Sequence, residues 1–438
     1  MDVTGQDSLP ATREGGGRMR AGIGTMLGGT LEWYDFTIYG ILILYIAETI
    51  FPPDEADAAL LAAFLLFGVS FLSRPFGGLI LGGYSDRRGR KPALLAAVAM
   101  MAMATLAIAF IPPYAAIGIA APILLLMTRL LQGLSAGGEF GTANAFLVEW
   151  STPDRRGLWG SLLSMTVAVG NLLANAIATI VITTLSREQM TSWGWRIPFV
   201  VGGALGLIVL WMRVGLVETP VFRDARPIRA KSPQPEWGRK FGRGAIVFGL
   251  SVYWTVCFYI FMIYMPTYTR IHAELTATQA AVSNTVASLV IAVLIPLFGG
   301  LSDRYGRRPF LLASCIAVMV LTLPAFWLIA AVKSFALVVI IQACFGIAIA
   351  LYSGPCPALF AELFPTQSRS SWPAVAYALA VAVFGGFAPS FAVWLTQAFD
   401  TPVAPAAYVL AAAGVSLAVL LSIGETAHRP IVERWGKG

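Results

Sequence analysis

Five ionisable residues lie in sequence that is otherwise apolar: Glu32, Asp35, Arg74, Arg129 and Glu139. A charge at the centre of a bilayer costs at least about 2.5–3.5 kcal/mol on insertion scales, so in such surroundings each invites a functional role. Glu32, Asp35 and Tyr39 fall at i, i+3 and i+7 and share one helix face. A carboxylate in low dielectric tends to hold a proton, a nearby guanidinium opposes this, and the guanidinium itself stays charged. Asp35 beside Arg129 is therefore expected to form a switchable proton-coupling pair, with Glu32 and Glu139 as further members. The alternative is a static ion pair that orients two helices. Arg74 offers a fork of donors matched to a carboxylate, and is expected either to bind substrate or to pair internally with Glu32 or Glu139. Glu139 has three open readings: proton relay, partner of Arg74, or binder of a substrate cation. Asn144, Asn171 and Asn175 are amides in apolar sequence, suited to interhelical hydrogen bonds or to a cavity wall.

The elements that hold these residues follow from composition. The chain has 438 residues, 57% of them hydrophobic and 12% charged, with a mean hydropathy of +0.74. Ordinary soluble domains carry about 25% charged residues, and a soluble chain must cover its surface with polar groups. An integral membrane protein is implied, and disorder, collagen and disulfide scaffolds are excluded. Apolar helical stretches fall near 22–51, 58–84, 92–112, 117–150, 156–185 and 196–218, then near 244–271, 277–302, 309–331, 334–363, 368–398 and 404–424. Each can cross a hydrocarbon core of about 30 Å. The expected class is an all-α polytopic membrane protein of twelve spans. Alternating ten-residue strands of a membrane barrel are not seen.

Positive charge gives the orientation. All but six of the 30 Lys and Arg fall in the tails and in alternate loops, and the central segment is counted from Arg213 to Arg243. The first connection on the other side carries Glu48, Asp54, Glu55 and Asp57 and no base. Both termini are therefore expected in the cytoplasm, and the net charge of +7 reports topology rather than nucleic-acid binding. The expected divisions are a cytoplasmic tail 1–21, a half 22–218, a cytoplasmic linker 219–243, a half 244–424 and a cytoplasmic tail 425–438. The linker is either a solvated connection or a site for anionic lipid head groups. Cys257, Cys315, Cys344 and Cys356 are read as four buried apolar residues.

The chain is internally duplicated. Gly82-Gly83-Tyr84-Ser85-Asp86-Arg87-Arg88-Gly89-Arg90-Lys91 recurs as Gly299-Gly300-Leu301-Ser302-Asp303-Arg304-Tyr305-Gly306-Arg307-Arg308, 217 residues on. An offset of 213 pairs Glu149 with Glu362 and Arg156 with Arg369, and one of 207 pairs Val217-Glu218-Thr219 with Gly424-Glu425-Thr426. Two parallel six-helix halves follow, with a site between them near the midplane. Gly82 and Gly89 suit close helix approach and a tight turn, and Asp86 can pair with a cation or cap a helix. Arg90 and Arg155 are expected to reach acids such as Glu149, and Asp303, Arg307, Glu362 and Arg369 to mirror them. Together they would form a cytoplasmic gate. The core is not duplicated: Asp35, Arg74, Arg129 and Glu139 correspond to Val252, Ile291, Gln342 and Tyr352. The second half instead offers Tyr253, Trp254, Tyr259, Tyr264 and Tyr268, with Asn284. Tyr39, Asn144, Asn171, Tyr259, Tyr264, Asn284 and Tyr352 are the candidates to line a substrate cavity with Arg74.

The doubled G-x-x-x-D-R-x-G-R-[KR] loop resembles the major facilitator superfamily. Leu31-Glu32-Trp33-Tyr34-Asp35-Phe36, Arg74-Pro75-Phe76-Gly77-Gly78, Gln132-Gly133-Leu134-Ser135-Ala136-Gly137-Gly138-Glu139 and Trp193-Gly194-Trp195-Arg196-Ile197-Pro198-Phe199 resemble its metabolite:proton symporter group. That group carries citrate, 2-oxoglutarate, shikimate, or proline and glycine betaine. The resemblance implies the major facilitator fold and a multi-pass protein of the cell inner membrane. It also implies an acid at Asp35 and an arginine at Arg129, as in related proton-coupled sugar porters. From Tyr264-Met265-Pro266 onward the chain is most similar to the osmolyte carriers. It stops at Gly438 without their coiled-coil tail, which counts against osmotic sensing.

Secondary active transport is the expected function. No nucleophile–base or metal constellation occurs, the two histidines are His272 and His428, and no G-x-x-x-x-G-K-[ST] loop is present. No enzyme activity, cofactor or metal is expected; the partners are substrate, proton and lipid, and the protein is read as a monomer. Two buried arginines favour a di- or tricarboxylate such as citrate; the similarity of the second half favours proline or glycine betaine.

Overall fold

The computed structural model of the chain describes residues 11–52, 56–223 and 237–429, which contain helices and turns and no strand. Twelve long helical segments are found among them. The first six are α1 (Ala11–Ile50), α2 (Ala56–Arg88), α3 (Arg90–Phe110), α4 (Ala120–Trp150), α5 (Arg156–Thr184) and α6 (Ile197–Val214). The second six are α7 (Trp237–His272), α8 (Ala277–Tyr305), α9 (Arg308–Val332), α10 (Phe335–Glu362), α11 (Ser371–Ala398) and α12 (Pro405–Ser422). Eleven are long and apolar enough to cross a membrane. The exception is α1, whose Glu32, Asp35 and Glu48 lower its hydropathy although its 40 residues reach about 60 Å. It begins at Ala11, inside the segment read as a tail. Residues 1–10, 224–236 and 430–438, within the expected tails and linker, lie outside the described residues.

Small residues bring the site-bearing helices together. A side chain on Gly133 would run into the Ser70 carbonyl, and one on Gly137 into that of Arg74. These two glycines therefore seat α4 directly on α2, at the level of the buried arginines. Pro75 follows Arg74 inside α2 and removes a backbone donor there. The duplication reaches the packing. Ser135 Oγ on α4 donates to the Ala97 carbonyl on α3 at 2.7 Å. In the second half Ser314 Oγ on α9 donates to the Ala348 carbonyl on α10 at 2.6 Å, the same contact with donor and acceptor exchanged.

Helices α7 and α11 widen into π-turns at Tyr259–Tyr264 and Val381–Gly385. Such turns free backbone groups, and Tyr408 Oη donates to the Phe384 carbonyl at 2.7 Å. Cys257, Cys315 and Cys356 are buried, but Cys344 is exposed. The expectation of four buried thiols is corrected there, because α10 is apolar on every side and its sequence does not mark the inward face.

Each half has a loop glycine with positive φ, Gly89 at 121° and Gly306 at 96°. These mark one end of the bundle, the loop end. A side chain at Gly89 would strike Glu218, and one at Gly306 would come within 2.5 Å of Glu425. Glu218 Oε2 caps α3 by accepting from Lys91 N at 3.1 Å. Glu425 caps α9 by accepting from Arg307 N at 2.9 Å and Arg308 N at 3.0 Å. Burial pushes the Glu425 carboxyl up, but the backbone donors of Ala427, Arg307, Arg308 and Thr426 outweigh it and hold it below the usual carboxylate range. A depressed acid stabilises the fold above its unfolded pKa and loses that contribution as pH falls through the folded value. Glu425→Gln should therefore lower stability by about 1 kcal/mol at pH 7, a value reduced for partial exposure. The difference from wild type should fade below about pH 4, and thermal unfolding of the purified protein at the two pH values reads it.

Candidate functional site

Asp35 is fully buried near the middle of α1. Its Oδ1 accepts from Thr105 Oγ1 on α3 at 2.7 Å, and its Oδ2 accepts from Gln132 Nε2 on α4. Arg129 Nη1 stands 4.0 Å from Oδ2. The same Nη1 donates to Gln132 Oε1 at 2.6 Å, and Nη2 donates to Ser70 Oγ at 2.9 Å. The Gln132 amide thus lies between acid and arginine, donating to one and accepting from the other. The Arg129 guanidinium also sits over the Tyr39 ring at 4.2 Å, while Tyr39 Oη donates to the Ala63 carbonyl at 3.0 Å.

A second pair lies one helical turn away. Arg74 Nη2 is 3.4 Å from Glu32 Oε1, with side chains 4% and 8% exposed. Arg74 packs on Phe36 at 4.3 Å and Phe71 at 4.7 Å, and its Nε and Nη2 have no hydrogen-bond partner. Phe36 lies 5.0 Å from the Arg129 guanidinium, so the two arginines share this ring. Glu139 belongs to neither pair. It meets Arg213 at 2.5 Å, and Arg213 also donates to the carbonyls of Gly24, Leu94 and Thr25. Arg213, counted in the basic central segment from sequence, is fully buried in α6. The carboxylate offered by Glu139 explains why it turns inward.

A narrow cleft of about 30 Å³, nearly closed in this conformation, lies between the halves. Its lining includes Glu32, Trp33, Arg74 and Phe140 of the first half and Trp254 and Tyr377 of the second. Phe140 of the first half stacks on Tyr377 of the second at 4.0 Å. Beyond Arg74, Phe71 meets Tyr259 at 6.1 Å and Trp33 meets Phe258 at 5.7 Å. Aromatic contacts thus cross between the halves on both sides of Arg74.

The other candidates scatter. Tyr259 is buried with its hydroxyl unpartnered, beside this cleft. Asn144 Nδ2 donates to the Pro357 carbonyl at 2.8 Å and joins the halves. Asn171 Oδ1 accepts from Thr37 at 2.6 Å. Tyr264 packs against Tyr268, and Asn284 is half-buried with its Oδ1 unpartnered. Tyr352 does not line the cleft. Its hydroxyl donates to the Leu250 carbonyl at 2.8 Å and its ring packs on Tyr253, deep in the second half. Thr105, Ser70, Phe140, Tyr377 and the bridging role of Gln132 were not foreseen. The one available signal was Gln132 itself, three residues after Arg129 and so on the same face.

At the loop end, Arg90 holds Asp86 at 2.9 Å and Glu149 at 2.9 Å. Arg307 repeats this with Asp303 at 2.8 Å and Glu362 at 3.1 Å. Arg369 reaches across the halves to Glu149 at 2.8 Å. Asp86 accepts from Ser370 N and Ser371 N at the start of α11, and Asp303 from Gly157 N and Leu158 N at the start of α5. Gly82 lies where a side chain would come within 2.8 Å of the Ser371 Cα. Arg155 stands apart: it is exposed, and its neighbour Arg156 turns inward to donate to the Arg429 carbonyl at 2.8 Å.

Comparison with known proteins decides the family. The Major Facilitator Superfamily model matches residues 25–369 and 271–434. The chain belongs to this superfamily. It is 33% identical over 432 residues to the proline/betaine transporter of Escherichia coli K12, covering 95% of this chain and 85% of that one. It is 33% identical over 397 residues to the citrate-proton symporter of Salmonella typhi, covering 89% and 90%. With the alpha-ketoglutarate permease of E. coli K12 it shares 35% over 375 residues, covering 85% and 86%. In structure it is similar to the proton:xylose symporter XylE bound to 6-bromo-6-deoxy-D-glucose, at a TM-score of 0.80 and 18% identity over 95% of this chain and 98% of that one. The twelve-helix architecture is that of the superfamily, and the protein is a multi-pass membrane transporter.

In this transporter the loop-end network places Glu149 against two buried arginines. Removing the acid leaves both guanidiniums short of counter-charge, a change worth about 3–5 kcal/mol for a buried pair. Glu149→Gln should therefore open this end. A reporter thiol at the start of α11 reads the opening, introduced as Ala374→Cys after replacement of the four native cysteines. It should react with a water-soluble maleimide at least about tenfold faster when Glu149→Gln is also present than when Glu149 is kept.

Proposed function

We propose that the protein is a proton-coupled symporter that imports a small zwitterion bearing a carboxylate and an alkylated ammonium, of the proline or glycine betaine type, by alternating access. The reading rests on one observation: Arg74 lines the cleft with Nε and Nη2 unpartnered, whereas Arg129 is not part of that lining and spends both its Nη atoms on Gln132 and Ser70. Two arginines deep in the first half favoured a di- or tricarboxylate on sequence alone. With a single guanidinium available beside an acid and aromatic walls, a tricarboxylate would leave several negative charges uncompensated in an apolar cleft. The relatives named for proline and betaine support the zwitterion. The relatives named for alpha-ketoglutarate and citrate keep a small carboxylate as the second reading.

Proton coupling is assigned to Asp35. While Gln132 and Thr105 donate to it and Arg129 stands nearby, the carboxylate is ionised. When the helices move and these donors withdraw, it takes a proton. Tyr39 steers Arg129; Glu139, bonded to Arg213, holds α4 to α6 and takes no part in proton relay. The loop end is assigned to the cytoplasm from the loop arginines, and its network, without Arg155, forms the gate that closes the outward-facing state.

Competition among labelled glycine betaine, proline, 2-oxoglutarate and citrate for uptake into proteoliposomes tests the substrate. Inhibition by citrate alone would replace the zwitterion reading with the carboxylate one. Arg74→Lys keeps the charge but loses the fork, and should raise the KM for uptake about tenfold. Asp35→Asn should abolish uptake driven by a pH gradient while leaving exchange of substrate across the membrane. Undiminished uphill uptake by the Asn variant would remove Asp35 from the coupling role.

A further inference from the structure

The cleft holds an acid that the transport cycle above does not use. Glu32 faces the cleft next to Trp33, and Arg74 is its ion partner, at 3.4 Å and without a hydrogen bond. It contrasts with Asp35, held by Thr105 and Gln132, and with Glu139, hydrogen-bonded to Arg213. The charged or titratable groups around it are Arg74 on α2, Asp35 on its own helix, Glu139 on α4, Tyr259 on α7 and Tyr377 on α11. Asp35 and Glu139 are each engaged with their own arginine, so Glu32 and Arg74 form a loosely joined dipole inside an aromatic box.

We propose that Glu32, with Trp33 and the facing rings of Trp254 and Tyr377, is the subsite for the substrate's ammonium, and that the zwitterion inserts into the Glu32–Arg74 pair. This rests on the zwitterion reading. The substrate carboxylate takes the free Nε and Nη2 donors of Arg74, and its ammonium lies between the Glu32 carboxylate and the ring faces. One ion pair opens and two form, no proton or electron moves at this step, and the cleft stays at net zero charge. Aromatic faces attract alkylated ammonium groups most strongly where water is excluded. An anion of the same shape brings an uncompensated negative charge toward Glu32 and is refused. Glu32 therefore sets the preference for zwitterion over anion.

The test uses 3,3-dimethylbutanoate, the carbon isostere of glycine betaine, which has the carboxylate and the three methyl groups but no positive charge. Each compound competes against labelled glycine betaine for binding to the purified full-length protein. Wild type should prefer glycine betaine by at least about tenfold. Glu32→Gln should lose that preference or reverse it, and Glu32→Asp should keep it. Equal affinities in wild type would overturn the proposal without any variant, as would a Gln variant that discriminates like wild type. Wild type that binds neither compound, but binds 2-oxoglutarate or citrate, would instead refute the substrate reading on which the proposal stands.

Discussion

A guanidinium or carboxylate in an apolar interior has to bring its counter-charge with it, and this requirement organises the first half of the molecule. Away from the loop end, three acids and three arginines are buried there as pairs: Asp35 with Arg129, Glu32 with Arg74 and Glu139 with Arg213. Each pair ties two helices together, and α1 supplies the acid for two of them. The pairs differ in how completely they are satisfied. Arg213 has carbonyls and a carboxylate on every side, so nothing at that site invites a ligand or movement. Arg129 is shared between an acid, an amide, a hydroxyl and rings, so it can redistribute its bonds. Arg74 has donors to spare. A gradient from saturated to open runs from Glu139–Arg213, through Asp35–Arg129, to Glu32–Arg74, and the proposed coupling and substrate roles follow that order.

The loop end shows the same rule applied to a contact that, in the proposed cycle, has to break. Within each half, the arginine after the loop glycine binds two acids of its own half, and Thr219 and Thr426 donate to Glu149 at 2.6 Å and Glu362 at 2.7 Å. These bonds need not change when the halves rock. Contacts between the halves include backbone donors at the start of α5 and α11 on Asp303 and Asp86, Arg369 on Glu149, and a bond from Arg90 Nη2 to the Thr366 carbonyl at 2.6 Å. The duplication is incomplete here, because Arg156, the counterpart of Arg369, donates to a carbonyl rather than forming the matching bridge. Among the described residues, the Arg369–Glu149 contact is the ion pair within 4 Å that joins the halves at this end.

How far the sequence revealed this depends on where each partner lies. The loop residues were legible because acid, glycine and arginine are neighbours in the chain and occur twice at a constant offset. The fold was legible for the same reason, as twelve apolar stretches in two sets. The burial of Asp35, Glu32 and Arg74 was legible because each lies in an otherwise apolar stretch. Pairing did not follow. Glu139 and Arg213 lie on different helices, and Arg213, close to the basic linker, looked like part of it until the inward turn of α6 was seen. Tyr352 was misplaced for a different reason. Helix α10 is apolar all round, so no periodicity shows which face meets the cleft and which meets its own half. Arg155 and Arg156 differ by about 100° around a helix start, and charge alone does not say which turns inward.

The two halves kept the gate and diverged at the core, and the divergence has a physical sense. Where the first half has Asp35, Arg74, Arg129 and Glu139, the second has Val252, Ile291, Gln342 and Tyr352. Its interior is held by neutral bonds, such as Tyr253 Oη with Ser314 Oγ at 2.7 Å and Tyr352 Oη to the Leu250 carbonyl. Had the core charges been divided between the halves, every rocking step would have to separate an ion pair in a medium that solvates neither member. With all of them on one side, the second half moves past them as a polarisable aromatic surface, Trp254 and Tyr377, that needs no counter-charge. In the proposed cycle, a substrate lying between Arg74 and those rings would join the halves at the centre, and its presence or absence would change the cost of bringing them together.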